Sequence, residues 1–250
     1  MAAVKKNVWV IGHRGASGSA PENTLAAYRL AVEQGARFIE TDLRLSRDAR
    51  LVAIHDATLD RTTSGRGRVR DFTLAELRQF DAGAWFAPEF AGQRIPTLEE
   101  ILAFTREQDV DFFLEVKEDP AEGAEPALVS SLRDVAEAAP LVILSFHRKT
   151  LARFRQLNHT LMTGLLFKDS QGRAEETVAG ALELGARQLA PKHTLVNPEL
   201  VQAAHLEGLP VVTWTVNEPA RMRELIAMGV DGIMSDYPER LVAVQAEGEA

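Results

Sequence analysis

Residues 38–43 read FIETDL, a β-prone stretch that follows a segment of helical period at residues 24–34 and Gly35. Short apolar runs alternate in the same way with longer amphipathic segments along the chain, which is typical of βα units around a parallel sheet. The eight predicted strands are 8–11, 38–43, 111–116, 141–145, 161–166, 187–190, 211–216 and 232–235. Helices are predicted at residues 24–34, 98–108, 124–138, 175–184, 198–207 and 220–228.

Eight such units in a chain of 250 residues predict an α/β protein with the (β/α)8 TIM barrel fold, since that fold typically needs ~250 residues. A doubly wound open sheet is the alternative architecture, but no glycine-rich dinucleotide fingerprint follows the first strand. Gly12, Gly15 and Gly18 do not have the spacing of that fingerprint. We expect residues 1–250 to form a single catalytic barrel domain.

The segment 56–96 interrupts the alternation between the second and third βα units. It is rich in glycine and aromatic residues, and it carries one short helical signal, the capping-box spacing of Thr73 and Glu76. Long excursions between barrel elements usually cover or wall a functional site. We therefore predict a small inserted subdomain at residues 56–96.

The composition narrows the class of protein. Hydrophobic residues make up 46% and charged residues 26% of the chain, which fits a globular domain with a sizeable core. The 28 basic and 36 acidic residues give a net charge of −8, so nucleic acid is not an expected partner. The absence of cysteine excludes disulfides and thiolate metal sites. No recognisable signal peptide or apolar run of ~20 residues is present, so we expect a cytoplasmic protein without stable membrane insertion.

Acidic residues collect at the predicted carboxyl ends of the strands, where barrels of this kind place their chemistry. Glu40 and Asp42 share one face of the second strand, and Glu115 lies late on the third. Three carboxylates aimed into a barrel are costly to bury without a counter-charge. A hard, oxygen-rich ligand set of this kind suits one divalent cation, Mg²⁺ or Ca²⁺.

Basic residues surround these carboxylates in the sequence. One interpretation is a structural network in which the carboxylates pair with Arg14, Arg44 and Lys117. In the other, Arg14 and Lys117 hold a phosphate, because an acidic protein needs local cations to bind an anion. His13 and His55 flank the cluster, and imidazoles on two sides of one site can serve as general acid and general base.

Seven short motifs occur in order along the chain: HRG at 13–15, PENT at 21–24, ETD at 40–42, HD at 55–56, LEVK at 114–117, WTVN at 214–217 and DGIMSDYP at 231–238. As an ordered set they resemble the glycerophosphodiester phosphodiesterase family over nearly the whole chain. The resemblance implies a metal-dependent hydrolase of lipid and glycerol metabolism that cleaves glycerophosphodiesters, such as deacylated phospholipids, to sn-glycerol 3-phosphate and an alcohol. It also implies roles for seven residues: metal ligation by Glu40, Asp42 and Glu115, acid and base catalysis by His13 and His55, and phosphate binding by Arg14 and Lys117. Trp214 is a further candidate for substrate binding.

Several residues near these motifs have simpler interpretations. We assign Asn23 as a helix N-cap in preference to a site contact, and Asp236 to a turn. Trp214 either stacks on the glycerol of the substrate or packs as a wall of the pocket. His147 and His193 follow later strands and remain further candidates.

Two other functions stay open beside this resemblance. One is a lysophospholipase D-like hydrolase that acts on lysophospholipids, and the other is a catalytically silent barrel that binds phosphodiesters. The expected partner is a small-molecule glycerophosphodiester, and the protein is expected to be a monomer or a homodimer.

Overall fold

The computed structural model describes residues 7–117, 141–157 and 161–247. Its strands are β1 (Trp9–His13), β2 (Phe38–Leu45), β3 (Leu51–Ala53), β4 (Asp111–Val116), β5 (Leu141–Ser145), β6 (Met162–Phe167), β7 (Gln188–Pro191), β8 (Val212–Thr213) and β9 (Gly232–Ser235). Eight of them pair in parallel in the order β7-β6-β5-β4-β2-β1-β9-β8. Isolated parallel bridges from Leu189 to Val211 and from Lys192 to Trp214 join the two ends of this order. The nearly closed ring confirms the predicted (β/α)8 barrel.

Helices alternate with these strands and cover the barrel. They are α1 (Leu25–Glu33), α2 (Leu74–Leu77), α3 (Leu98–Gln108), α4 (Arg148–Leu157), α5 (Ala174–Glu183), α6 (Pro198–Leu206), α7 (Pro219–Met228) and α8 (Pro238–Glu247). The predicted helix 124–138 lies outside the described residues. Among the helices of the described ranges, none has the length and apolar character that a membrane crossing requires.

Two strands differ from the prediction in ways that matter for the site. β1 continues two residues beyond the predicted end at residue 11, because its last residue, His13, pairs in register with Glu40 of β2. The predicted strand 211–216 is too long, since β8 holds only Val212 and Thr213. Beyond β8 the indole of Trp214 donates a hydrogen bond to the carbonyl oxygen of Ala190 in the neighbouring β7.

Side-chain alternation along the strands divides the apolar core in two. One cluster lies between the sheet and the helices and includes Ile39 and Leu114. The other fills the interior of the barrel and consists of Ile11, Phe113, Leu144, Leu166, Ala190, Val212 and Met234. This interior layer fills the barrel. Polar side chains two residues further along the strands therefore lie at the carboxyl-end mouth of the barrel.

The segment between β3 and α3 has little regular structure. It contains the one-turn helix α2, whose capping box between Thr73 and Glu76 is confirmed. A third apolar cluster holds the segment together and contacts β3 through Val52; its other buried members are Ile54, Leu59, Val69, Leu77, Ala82 and Ile95. The segment therefore packs around its own small core beside β2 and β3.

Candidate active site

Strand register brings the predicted acidic residues together at one end of the barrel. Asp42 of β2 lies opposite Glu115 of β4, and Glu40 lies opposite His13 of β1. The three acidic residues are buried, with relative exposures of 2% for Glu40, 1% for Asp42 and 8% for Glu115. One carboxylate oxygen from each lies within 4.8 Å of the others. The predicted carboxylate cluster is thus assembled.

The cations around the cluster do not balance it. The Nζ of Lys117 lies 2.9 Å from Asp42 Oδ1 and 2.7 Å from Glu115 Oε1. The Nε of Arg14 lies 3.1 Å from Asp42 Oδ2. Two cations therefore face three carboxylates, and the buried Oε1 of Glu40 has no hydrogen-bond partner in the part of the chain that the structure describes. A network of ion pairs is present, but it leaves an uncompensated charge and an unpaired oxygen.

A divalent ion fits this arrangement. Oxygens that share one Ca²⁺, at ligand distances of ~2.3–2.6 Å, are separated by at most about 5 Å, and the oxygens of Glu40, Asp42 and Glu115 meet that limit. All three donors are hard carboxylate oxygens, the ligand type that Mg²⁺ and Ca²⁺ prefer. The residues present are therefore suited to one such ion.

The cluster perturbs its own ionisation. Burial, together with the charges of Asp42 and Glu115, raises the pKa of Glu40 well above its usual range. Burial and the charge of Asp42 raise the pKa of Glu115 to about 7. Burial also disfavours the charged form of Asp42, but the neighbouring Lys117 and Arg14 cations hold the pKa of Asp42 below its ordinary value. Without a further cation, the cluster thus tends to retain protons near neutral pH.

A strained turn after β1 positions Arg14. The φ angle of Arg14 is 57°, and that of Gly15 is 84°. A Cβ atom on Gly15 would come within 2.6 Å of the backbone of Ala27, so the turn requires glycine there. In this conformation the backbone N–H of Arg14 donates to Glu40 Oε2 at 3.0 Å. The turn therefore fixes both Arg14 and one oxygen of the cluster.

His13 is oriented by a carboxylate from the other end of the chain. Its Nδ1 lies 2.6 Å from Asp236 Oδ1, and its Nε2 lies 4.0 Å from Glu40 Oε2. Ser17 Oγ and Asn217 Nδ2 donate to the same Asp236 carboxylate at 2.8 and 2.6 Å. Although burial opposes ionisation, the hydrogen bond and charge of His13 lower the pKa of Asp236 to about 2. The turn assignment of Asp236 was incomplete, and its position just after β9 was the available signal.

His55 has a similar partner in its immediate neighbour. Its Nδ1 lies 2.7 Å from Asp56 Oδ1, and Arg61 Nε donates to Asp56 Oδ2 at 2.7 Å. Arg61 also pairs with Glu22 at 2.6 Å, and Glu22 accepts a hydrogen bond from Arg14 at 2.9 Å. Burial lowers the pKa of His55. Sequence reasoning missed Glu22, which links the segment after β3 to the turn after β1.

Asn23 supports the cluster and is not a helix cap, so that assignment was wrong. Thr24 caps α1, with its side chain accepting a hydrogen bond from the backbone N–H of Ala27. Asn23 has a φ of 56° and is buried. Its Nδ2 donates to Asp42 Oδ2 at 2.8 Å, and its Oδ1 accepts from Thr41 Oγ1 at 2.8 Å. Two adjacent residues with strong capping preference could not be separated by sequence.

The remaining candidates follow β5, β7 and β8. The half-buried rings of Trp214 and Phe146 meet edge to face, with centroids 5.4 Å apart. This contact and the indole hydrogen bond to Ala190 fix Trp214 as a wall of the barrel mouth. His147 follows β5 and His193 follows β7, and neither has a described hydrogen bond or ion pair to the carboxylate cluster.

Comparison with known proteins gives one consistent result. The model of the glycerophosphoryl diester phosphodiesterase family matches residues 13–240. A glycerophosphodiester phosphodiesterase of Caldanaerobacter subterraneus is 39% identical over 96% of this chain and 98% of its own. One from Bacillus subtilis is 34% identical over 93% of this chain and 84% of its own. The structure of an Oleispira antarctica phosphodiesterase in complex with the product sn-glycerol-3-phosphate aligns with a TM-score of 0.88 and 31% identity, over 95% of this chain and 96% of that one.

Proposed function

Because the chain belongs to the glycerophosphoryl diester phosphodiesterase family, we propose that its barrel hydrolyses glycerophosphodiesters, such as deacylated phospholipids, to sn-glycerol 3-phosphate and an alcohol. The observation that carries this proposal is the convergence of three buried carboxylates from two neighbouring strands with His13 beside them. Such a site can hold a phosphodiester next to groups that stabilise its charge and move its protons.

The carboxylates of Glu40, Asp42 and Glu115 would hold one divalent cation, Mg²⁺ or Ca²⁺. When bound, that cation would supply positive charge for the phosphoryl oxygens. Arg14 and Lys117 are the proposed phosphate contacts. Burial would favour the neutral form of Lys117, but the adjacent carboxylates raise its pKa, so its side chain stays charged over the physiological range. A guanidinium and an ammonium thus stand ready to bind the anionic ester.

His13 and His55 are the proposed general acid and base. Asp236 and Asp56 bind the Nδ1 atoms of the two rings, so each Nε2 is the proposed atom of proton exchange with the substrate; in His13 this atom also lies 3.4 Å from Thr215 Oγ1. One imidazole takes the proton from the attacking hydroxyl as its oxygen bonds to phosphorus. The other gives a proton to the leaving oxygen as the ester bond breaks. If the attacking hydroxyl is water, glycerol 3-phosphate forms directly; if it is the hydroxyl of the glycerol itself, a cyclic phosphate forms, and a water molecule must open it in a second step. Asp236 and Asp56 act here as positioning residues.

The surroundings complete the proposal. Trp214 forms an apolar wall of the substrate pocket, fixed by its contact with Phe146. Residues 1–250 act as a single catalytic domain, with residues 56–96 as an inserted subdomain that carries Asp56 and Arg61 to the site. We further propose a cytoplasmic monomer or homodimer with a role in lipid and glycerol metabolism.

Hydrolysis of sn-glycero-3-phosphocholine tests the proposal. Release of glycerol 3-phosphate and choline is measured on protein stripped with a chelator, before and after addition of Mg²⁺ or Ca²⁺. We expect activity only with the cation, and loss of activity in His13→Ala and His55→Ala. His205→Ala is the matched control, since His205 pairs with Asp231 away from the cluster. Full activity of the stripped protein, or of either variant, would refute the proposed site, and faster turnover of lysophosphatidylcholine would refute the proposed substrate class.

A further inference from the structure

Two lysines follow the carboxyl ends of β6 and β7, on the side of the barrel mouth away from the carboxylates. Leu166 of β6 and Ala190 of β7 belong to the interior cluster. Lys168 and Lys192 come two residues later, each the first residue after its strand. Side chains two apart in extended backbone share a face. Both lysines therefore follow strand ends at the carboxyl-end mouth of the barrel.

The backbone at Lys192 continues the sheet. Its N–H donates to the carbonyl oxygen of Phe167 at 2.8 Å, and Lys192 forms a parallel bridge with Trp214. The alternation that applies to β7 therefore extends to Lys192. On β1, His13 likewise lies two residues after Ile11, a member of the interior cluster. Lys192 and the proposed catalytic imidazole thus belong to one ring of side chains around the mouth.

These lysines differ from Lys117 in their surroundings. The Nζ of Lys117 is held by two carboxylates, at 2.9 and 2.7 Å. Lys168 and Lys192 are exposed, and neither forms an ion pair or side-chain hydrogen bond with any described residue. In a chain of net charge −8, these two lysines place two positive charges after adjacent barrel strands, beside a single neighbouring acidic residue in the sequence, Asp169. Exposed cations at a pocket mouth attract anionic groups.

A polar atom without a hydrogen-bond partner among the described residues lies next to Lys192 in the sequence. This atom, Nδ1 of His193, is buried. The aromatic pair of Phe146 and Trp214 borders the same side of the mouth. Arg14 follows β1 and Lys117 follows β4, so the proposed phosphate contacts and the two lysines lie after different strands at the same mouth.

We propose that Lys168 and Lys192 form a second anion subsite, which binds the alcohol portion of the substrate. This proposal rests on the proposed phosphodiesterase function. It assigns as preferred substrates those glycerophosphodiesters whose alcohol carries an additional phosphate or another anionic group. Diesters of neutral or cationic alcohols lack a group for this subsite and are poorer substrates.

A matched pair of substrates tests the subsite. sn-Glycero-3-phosphoglycerol has a neutral alcohol, and bis(sn-glycero-3-phospho)glycerol carries one more phosphate on the same alcohol. The measurement is the ratio of kcat/KM for the second substrate over the first, corrected for the two equivalent esters of the second. We expect a ratio several-fold above one. Because the charges are exposed and each contributes modestly, we expect Lys168→Met with Lys192→Met to lower the ratio several-fold, to near one.

Two controls make the result specific. Arg106→Met removes one exposed positive charge from the last turn of α3, at the opposite end of the barrel, and should leave the ratio unchanged. Raising the salt concentration to ~0.5 M should lower the wild-type ratio toward that of the double variant, because exposed charges are screened. Thermal unfolding checks that the double variant is folded.

The outcomes are distinct. If the wild-type protein hydrolyses both diesters with a ratio near one, or if the double variant keeps the wild-type ratio, the subsite is refuted and the phosphodiesterase function stands. An equal loss of kcat/KM for both substrates also refutes it, because the lysines would then act on the shared phosphate. If the wild-type protein hydrolyses neither diester, the proposed function itself fails and the subsite falls with it.

Discussion

Glu115→Gln should stabilise the metal-free protein at neutral pH, although it removes a proposed metal ligand. Burial and the charge of Asp42 raise the pKa of Glu115 from its ordinary 4.5 to about 7. An acid whose pKa is higher in the folded state favours folding while it is protonated. That contribution is complete below pH 4.5 and is lost as the pH rises through 7. Glutamine keeps the shape of the side chain and never ionises.

The size of the effect follows from the same pKa. A rise from 4.5 to about 7 corresponds to about 3 kcal/mol at ~1.4 kcal/mol for each tenfold change. The difference in unfolding free energy, variant minus wild type, should therefore be near zero at pH 4.5. It should grow with pH and reach about 3 kcal/mol near pH 8.

Urea unfolding of the chelator-treated proteins at four pH values between 5 and 8 measures this difference. Glu107→Gln serves as the control, because Glu107 is exposed near the end of α3 and its replacement should give no such trend. Addition of Ca²⁺ or Mg²⁺ should stabilise the wild-type protein more than the Glu115 variant, since a ligand stabilises the state that binds it. A difference that stays flat or becomes negative with rising pH would show that Glu115 does not carry a buried, unfavourable charge.

Four further substitutions probe the proposed roles. His13→Ala and His55→Ala should each lower kcat by about 10²–10⁴-fold. Calorimetric titration of both variants should show that Ca²⁺ binding is retained. A smaller loss of kcat would contradict acid and base catalysis by these residues. Asp236→Asn should lower kcat about 10- to 100-fold, the equivalent of one charge-assisted hydrogen bond. It should also shift the pH profile of kcat with little change in KM. An unchanged pH profile would contradict the positioning of His13 by Asp236. Asn23→Ala should weaken Ca²⁺ binding about tenfold by removing the donor to Asp42, and unaltered affinity in the same titration would contradict that support.

The barrel and the carboxylate cluster could be predicted from sequence because both depend on local periodicity. The period of the apolar runs gives the strands, and the two-residue repeat places Glu40 and Asp42 on one face. The barrel rule then collects strand ends at a common mouth. What periodicity does not give is register, which sets His13 opposite Glu40 and Asp42 opposite Glu115.

The supporting partners could not be predicted in the same way. Asp236 lies 223 residues from His13 in the sequence, and only closure of the barrel between β9 and β1 brings the two together. Asn23 and Thr24 both have strong capping preference, so local propensity could not choose between them. Burial of Asn23 against Asp42 is a tertiary effect. The short β8 has a similar origin, because beyond Thr213 the chain pairs with the neighbouring β7 side through an isolated bridge from Trp214 to Lys192 and the indole hydrogen bond to Ala190.

Anomalous diffraction from crystals grown with Mn²⁺, a cation that carboxylate sites accept in place of Mg²⁺ or Ca²⁺, tests the metal site most directly. We predict one strong anomalous peak at coordination distance, ~2.0–2.6 Å, from oxygens of Glu40, Asp42 and Glu115. A peak bound by other residues, with none among these three carboxylates at saturating Mn²⁺, would contradict the proposed metal centre.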